Sequence, residues 1–85
     1  MNALQWNRAK NLELVQSRGV SFEELLNSRF IGIEEHPKKL HQRYMIFEYK
    51  KYIWVVPYVT CENGYFLKTA FPSRKHTKKY LGGMK

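Results

Sequence analysis

Acidic side chains are few, cysteine is nearly absent, and no long apolar run occurs in this chain of 85 residues. The single cysteine, Cys61, excludes an intramolecular disulfide. No CxxC pair or His/Cys ligand set is present, so neither a structural zinc, another metal nor a cofactor is expected, and a reducing, cytoplasmic compartment is. No apolar stretch approaches the length of a membrane span. The opening residues lack a basic segment followed by an apolar core, so a secretory signal is not expected. Internal repeats and low-complexity segments are missing too, as are helix-turn-helix and RNP patterns. What remains is 44% hydrophobic and 15% aromatic, which describes a globular chain. Its length suits one domain over residues 1–85, large enough for a core without covalent staples. The net charge of +8 is unevenly spread: residues 1–42 carry net +1 and residues 43–85 carry net +7. A polyanionic partner, nucleic acid or an acidic protein, is the natural inference.

Taken in order, Asn7 can cap a helix over Arg8–Arg18 that Gly19 closes, with Ala9, Leu12 and Val15 as its apolar face. Trp6 is read as a core plug just before the cap. Ser21 and Glu24 form a capping box for a second helix over Phe22–Ser28, with Val20 and Leu25 placed for a hydrophobic staple. A short strand over Phe30–Glu35 is followed by a loop at His36–Gln42, because Pro37 disfavours helix at the residue before it. Arg43–Tyr49 reads as a strand with Tyr44, Ile46 and Glu48 on one side and Arg43, Met45, Phe47 and Tyr49 on the other. Lys50-Lys51 makes a turn without favoured turn residues. Tyr52–Thr60 is apolar on both faces, as a covered central strand is, with a bulge or edge position expected at Pro57. Glu62-Asn63-Gly64 turns the chain into a last strand over Tyr65–Phe71. The expected fold class is therefore α+β: two N-terminal helices, a four-stranded antiparallel sheet and a short C-terminal helix. The helices should cover one sheet face and leave aromatic and cationic side chains on the other.

That last helix carries the densest chemistry. Pro72 stops the strand, Ser73 is the N-cap and Gly82-Gly83 the stop. Between them lie Arg74, Lys75, Lys78 and Lys79 with no acid, while His76 and Tyr80 share a helix face at i and i+4. A helix start, several cations, a histidine and a tyrosine together suit a phosphate.

The pattern Trp6-Asn7-x-x-Lys10-Asn11, followed by Arg18-Gly19-Val20-Ser21-Phe22-Glu23-Glu24, resembles the opening of the BrnT family, the toxins of bacterial type II toxin–antitoxin pairs. The ending Lys68-Thr69-x-x-Pro72-Ser73-Arg74-Lys75-x-Thr77-Lys78-Lys79-Tyr80 resembles that family's ending. The central strands match only in type. Three positions depart from the pattern. Arg18 stands where histidine is common, a lysine stands near the usual glutamate before the tyrosine, and the region His41-Gln42-Arg43 lacks the usual Glu-x-Arg, keeping its arginine without the acid. The resemblance implies a RelE-like, metal-independent ribonuclease that cleaves RNA and stops growth. It also implies a BrnA-like ribbon-helix-helix antitoxin as partner, in a complex that represses its own operon.

Metal-free RNA cleavage needs a base for the 2′-OH, cations for the phosphorane and an acid for the 5′-oxygen, and yields a 2′,3′-cyclic phosphate. Arg74 and Arg43 can bind phosphate oxygens in bidentate fashion, and Lys68 can add a cation. His76, His36 and His41 carry the side-chain type suited to proton transfer near neutral pH, and Tyr80 can donate a proton or a hydrogen bond. The candidate catalytic set is Arg74, Arg43, Lys68, His76 and Tyr80. Lys39, Lys75, Lys78 and Lys79 are candidate RNA contacts, and one or two of the sheet aromatics can stack on a base. Two other readings stay open: a nucleic-acid-binding domain without catalysis, and an interaction module whose basic face holds an acidic protein.

Overall fold

The computed structural model describes residues 3–82. It contains strand β1 (Ala3–Trp6), helices α1 (Arg8–Arg18) and α2 (Phe22–Leu26), and strands β2 (Arg29–Glu35), β3 (Gln42–Tyr49), β4 (Tyr52–Cys61), β5 (Gly64–Leu67) and β6 (Phe71–Pro72). Helix α3 (Arg74–Tyr80) is the last element among the described residues. The class is α+β, but the sheet is not the expected four-stranded antiparallel one. It has six strands and is mixed: β1-β5-β4-β3-β2 run side by side, and β6 pairs with β4.

Two physical causes account for the correction. First, the residues before α1 are themselves a strand, which pairs in parallel with β5 so that Ala3 lies opposite Gly64 and Trp6 opposite Leu67. Four residues without alternation carry no strand signal of their own, and their partner lies far along the chain. Second, Pro57 splits the last expected strand in two. Its carbonyl accepts from the Lys68 amide at 2.8 Å, but its ring nitrogen has no proton to return, so the β5 ladder ends there. The chain bulges out and rejoins β4 as β6, with Phe71 opposite Val55 and Pro72 opposite Trp54.

The helices do not share a face either. α1 and α2 cover one side of the sheet, over a core that includes Leu14, Phe22, Leu25, Phe47, Trp54 and Val56. α3 lies on the other side, with Tyr80 and Leu81 against Ile46, Ile53 and Val55. The β3 side-chain alternation follows expectation: Met45 and Phe47 join the first core, Tyr44 and Ile46 the second. α1 turns differently from its expected face. Leu14 is buried, whereas Leu12 and Val15 are exposed. The helix sits on the sheet through its Asn11–Leu14 side, and Asn11 Oδ1 accepts from the Phe22 amide at 2.8 Å, which ties α1 to the start of α2. The Asn7 cap, the Gly19 stop at φ +75 and the Ser21–Glu24 capping box all form. α2 is shorter than expected and ends at Leu26, with Asn27 as its C-cap. The Lys50-Lys51 hairpin turns with both residues at positive φ, 52 and 66. The Ser73 cap of α3 is present, while Gly83, the second residue of the expected stop, lies outside the described residues. Among the described residues no helix is long and apolar enough to cross a membrane.

Candidate active site

On the α3 side of the sheet, β2 and β3 deliver Glu34 and Tyr44 as directly opposed residues. α3 places His76, Lys79 and Tyr80 against them. The Ser73 hydroxyl accepts from the His76 amide at 3.1 Å and thereby sets the first turn of the helix. Thr77 secures α3 to the sheet, because its Oγ1 accepts the Ile53 amide at 2.9 Å and donates to the Ser73 carbonyl at 2.7 Å. The i, i+4 pair His76 and Tyr80 shares one face as expected, with rings stacked 6.5 Å apart.

The centre of this arrangement is Glu34, which the residue pattern did not single out. Its Oε2 accepts from Lys79 Nζ at 2.8 Å and from the Tyr80 hydroxyl, and its Oε1 lies 3.1 Å from His76 Nε2. Burial alone would raise its pKa. The hydrogen bonds from Lys79, Tyr80 and His76 outweigh that and hold it at about 2, against an ordinary 4.5. The same hydrogen bonds raise the pKa of Lys79 and of Tyr80. Glu34 is therefore a fixed anion near neutral pH, and Tyr80 is a donor that keeps its proton.

His76 takes its orientation from both sides. Nδ1 faces the Ser73 hydroxyl at 2.7 Å; in the tautomer that directs Nε2–H at the carboxylate, Nδ1 accepts from that hydroxyl. The imidazole is largely covered, at 13% side-chain exposure, and Tyr44 meets it edge-on at 6.1 Å. Ser73, His76 and Glu34 thus form a continuous line along which a proton can pass from a hydroxyl to the ring while the carboxylate steadies the resulting imidazolium. The line opens into a cleft of about 410 Å³ bounded by Pro37, Tyr44, Phe71, Lys75 and Lys79.

The other candidate residues are dispersed. Arg74 and Lys78 are exposed and do not line the cleft. With only seven residues, α3 gives no strong dipole to which Arg74 could add. Lys68 shares the sheet face of Glu34, because its amide bonds to Pro57, which pairs with Tyr44. Three strand spacings, roughly 14 Å, separate it from Glu34. Arg43 lies on the opposite face with Tyr58. Lys39 sits in the β2–β3 loop, where its amide and that of Lys38 both donate to His36 Nδ1 at 3.0 Å. Among the described residues no three His, Cys, Asp or Glu side chains converge as a metal site. Only pairing of β2 with β3 and docking of α3 reveal Glu34. Its sole trace in the sequence is an acid near the end of a short strand, just after Ile33 and just before Glu35.

No protein-family model matches the chain, and neither does any curated protein. Among solved structures, the ribonuclease toxin BrnT of Brucella abortus matches with a TM-score of 0.53 at 16% identity, over 86% of this chain and 97% of that one. At that identity the likeness is one of fold, and the fold of this chain is BrnT-like.

Proposed function

We propose that the chain is a ribonuclease toxin that cleaves RNA without a metal ion, leaving a 2′,3′-cyclic phosphate. The observation that carries this reading is His76, held between Ser73 and Glu34 at the floor of a lysine-rimmed cleft, on the fold of a ribonuclease toxin. In this reading the RNA 2′-OH gives its proton to Ser73 Oγ as the Ser73 proton moves to His76 Nδ1. The 2′-oxygen attacks phosphorus, the bond from phosphorus to the 5′-oxygen breaks, and water protonates the leaving oxygen. Lys75 neutralises the phosphorane directly, and Arg74 strengthens the field at the mouth of the cleft. Lys79 contributes less charge, since Glu34 already holds it. Tyr80 acts by fixing Glu34. A BrnA-like ribbon-helix-helix antitoxin is the partner that this reading calls for, and the cytoplasm its compartment.

A binding module without cleavage is the second reading. It is favoured by one observation: both ring nitrogens of His76 already have protein partners. Incubation with mixed-sequence RNA in EDTA separates the two. The ribonuclease reading expects cyclic-phosphate ends, lost in His76→Ala and reduced in Arg74→Ala. Intact but bound RNA, with and without ribosomes, would replace it with the binding module.

A further inference from the structure

The opposite face of the sheet holds a second cleft, of about 480 Å³, which the reaction above does not use. Strand register builds it. Arg43 lies directly across from Tyr58, and Thr60 directly across from Tyr65, so their side chains rise on one face in two adjacent rungs. His41 and Leu40 from the β2–β3 loop complete the wall. The volume falls in the range of small-ligand sites. Tyr58 and Tyr65 meet edge to face at 5.4 Å, which fixes both rings. Tyr58 is also part of the core under α1 and α2, so the cleft begins where helical cover ends.

Three features point to a nucleotide. The Arg43 side chain is exposed and makes no hydrogen bond or ion pair with another described residue. In the same cleft, the Arg43 guanidinium and the partly buried Tyr65 ring offer a phosphate contact and a stacking surface together. Moreover, a third depression, of about 140 Å³ around the β2–β3 loop, shares lining residues with both clefts. It shares Leu40 and Arg43 with the second cleft and Glu35 with the His76 cleft, and Lys39 lines it. The surface therefore offers one track from His76, past Lys39, to Arg43 and Tyr65. Glu35 is the one carboxylate on the track beyond Glu34. It lies directly opposite Arg43 on β2 without forming an ion pair with it.

We propose that this track binds single-stranded RNA, with a nucleotide flanking the scissile one seated at Arg43, Thr60 and Tyr65. The proposal rests on the ribonuclease reading for the position of the scissile bond, but not for binding itself. The strand crosses the β2–β3 loop from one sheet face to the other, Lys39 and Arg43 contact phosphates, and Tyr65 stacks on a base. Specificity for neighbouring bases then resides on the face opposite the cutting site.

The test uses a fully 2′-O-methylated hexanucleotide of mixed sequence, which the protein cannot cleave, titrated into the full chain and followed by amide NMR shifts. Shifts are expected at Arg43, Thr60 and Tyr65 as well as at Lys39 and His76. Arg43→Ala should weaken binding about tenfold, the scale of losing one phosphate contact or one stacked base. Thr60→Glu, at an exposed position, should weaken it through repulsion, and Glu35→Gln should tighten it. Shifts confined to the α3 face would overturn the proposal, as would unchanged affinity in both Arg43→Ala and Thr60→Glu. Absence of binding to the hexanucleotide would overturn it as well. Loss of cleavage on natural RNA with these shifts intact would sink the catalytic reading alone.

Discussion

Glu34→Gln is the substitution that tests the site most directly, because one carboxylate holds three side chains of α3 to β2. In the folded protein its pKa is about 2, against 4.5 for an unperturbed glutamate. Burial opposes the lowering, and the donors Lys79, Tyr80 and His76 more than offset it. At about 1.4 kcal/mol per pKa unit, the shift corresponds to about 3 kcal/mol of stabilisation near neutral pH. Glu34 keeps 21% side-chain exposure, so solvent screening trims that figure. A loss of about 2–3 kcal/mol on replacement by the neutral amide is expected. The sign follows from the depressed pKa. The stabilisation is complete above the unfolded value of 4.5 and drains away as pH falls from there towards 2. Urea unfolding of wild type and Glu34→Gln should therefore show a wide gap in midpoint near neutral pH. At about pH 3 roughly half of the gap or more should be gone, because the unfolded chain is protonated there. A gap that stayed constant over that range would refute the assignment of the stability to an ionised Glu34.

Three further outcomes follow from the fold. Replacing Lys50-Lys51 by Asn-Gly should stabilise the protein by about 1 kcal/mol in thermal or urea unfolding, since both lysines occupy the left-handed region that suits the new residues. Gly64→Ala should detach β1. Gly64 has φ +149, and a Cβ there would lie 2.1 Å from the Ala3 carbonyl oxygen, so hydrogen exchange should show Leu4, Gln5 and Trp6 losing protection first. Ser21→Ala removes half of a capping box and should cost about 1 kcal/mol by denaturant unfolding, with the sheet intact.

Local signals mark much of the framework. Asn7, Gly19, Ser21 with Glu24, and Ser73 act on backbone groups within four residues of themselves, so their roles can be read from spacing. The two faces of β3 and the shared face of His76 and Tyr80 were legible for the same reason. β1 was not, because its hydrogen bonds go to a strand about sixty residues away and leave no periodicity of their own. Pro57 is legible in the sequence as a disruption, but the way the chain bridges it is not. The missing proton is a local fact, whereas the change of partner from β5 to β6 depends on where Phe71 can pack.

The site divides in the same way. The sequence determined a basic C-terminal half, a capped helix and a histidine four residues before a tyrosine. Tertiary structure alone decided that Glu34 would meet them and that Arg43 would stand on the other face. It also decided that Lys75, and not Arg74, would line the cleft. The physical reason is that a strand sends successive side chains to opposite faces, while helix docking selects which face becomes a site. A charge count records neither choice.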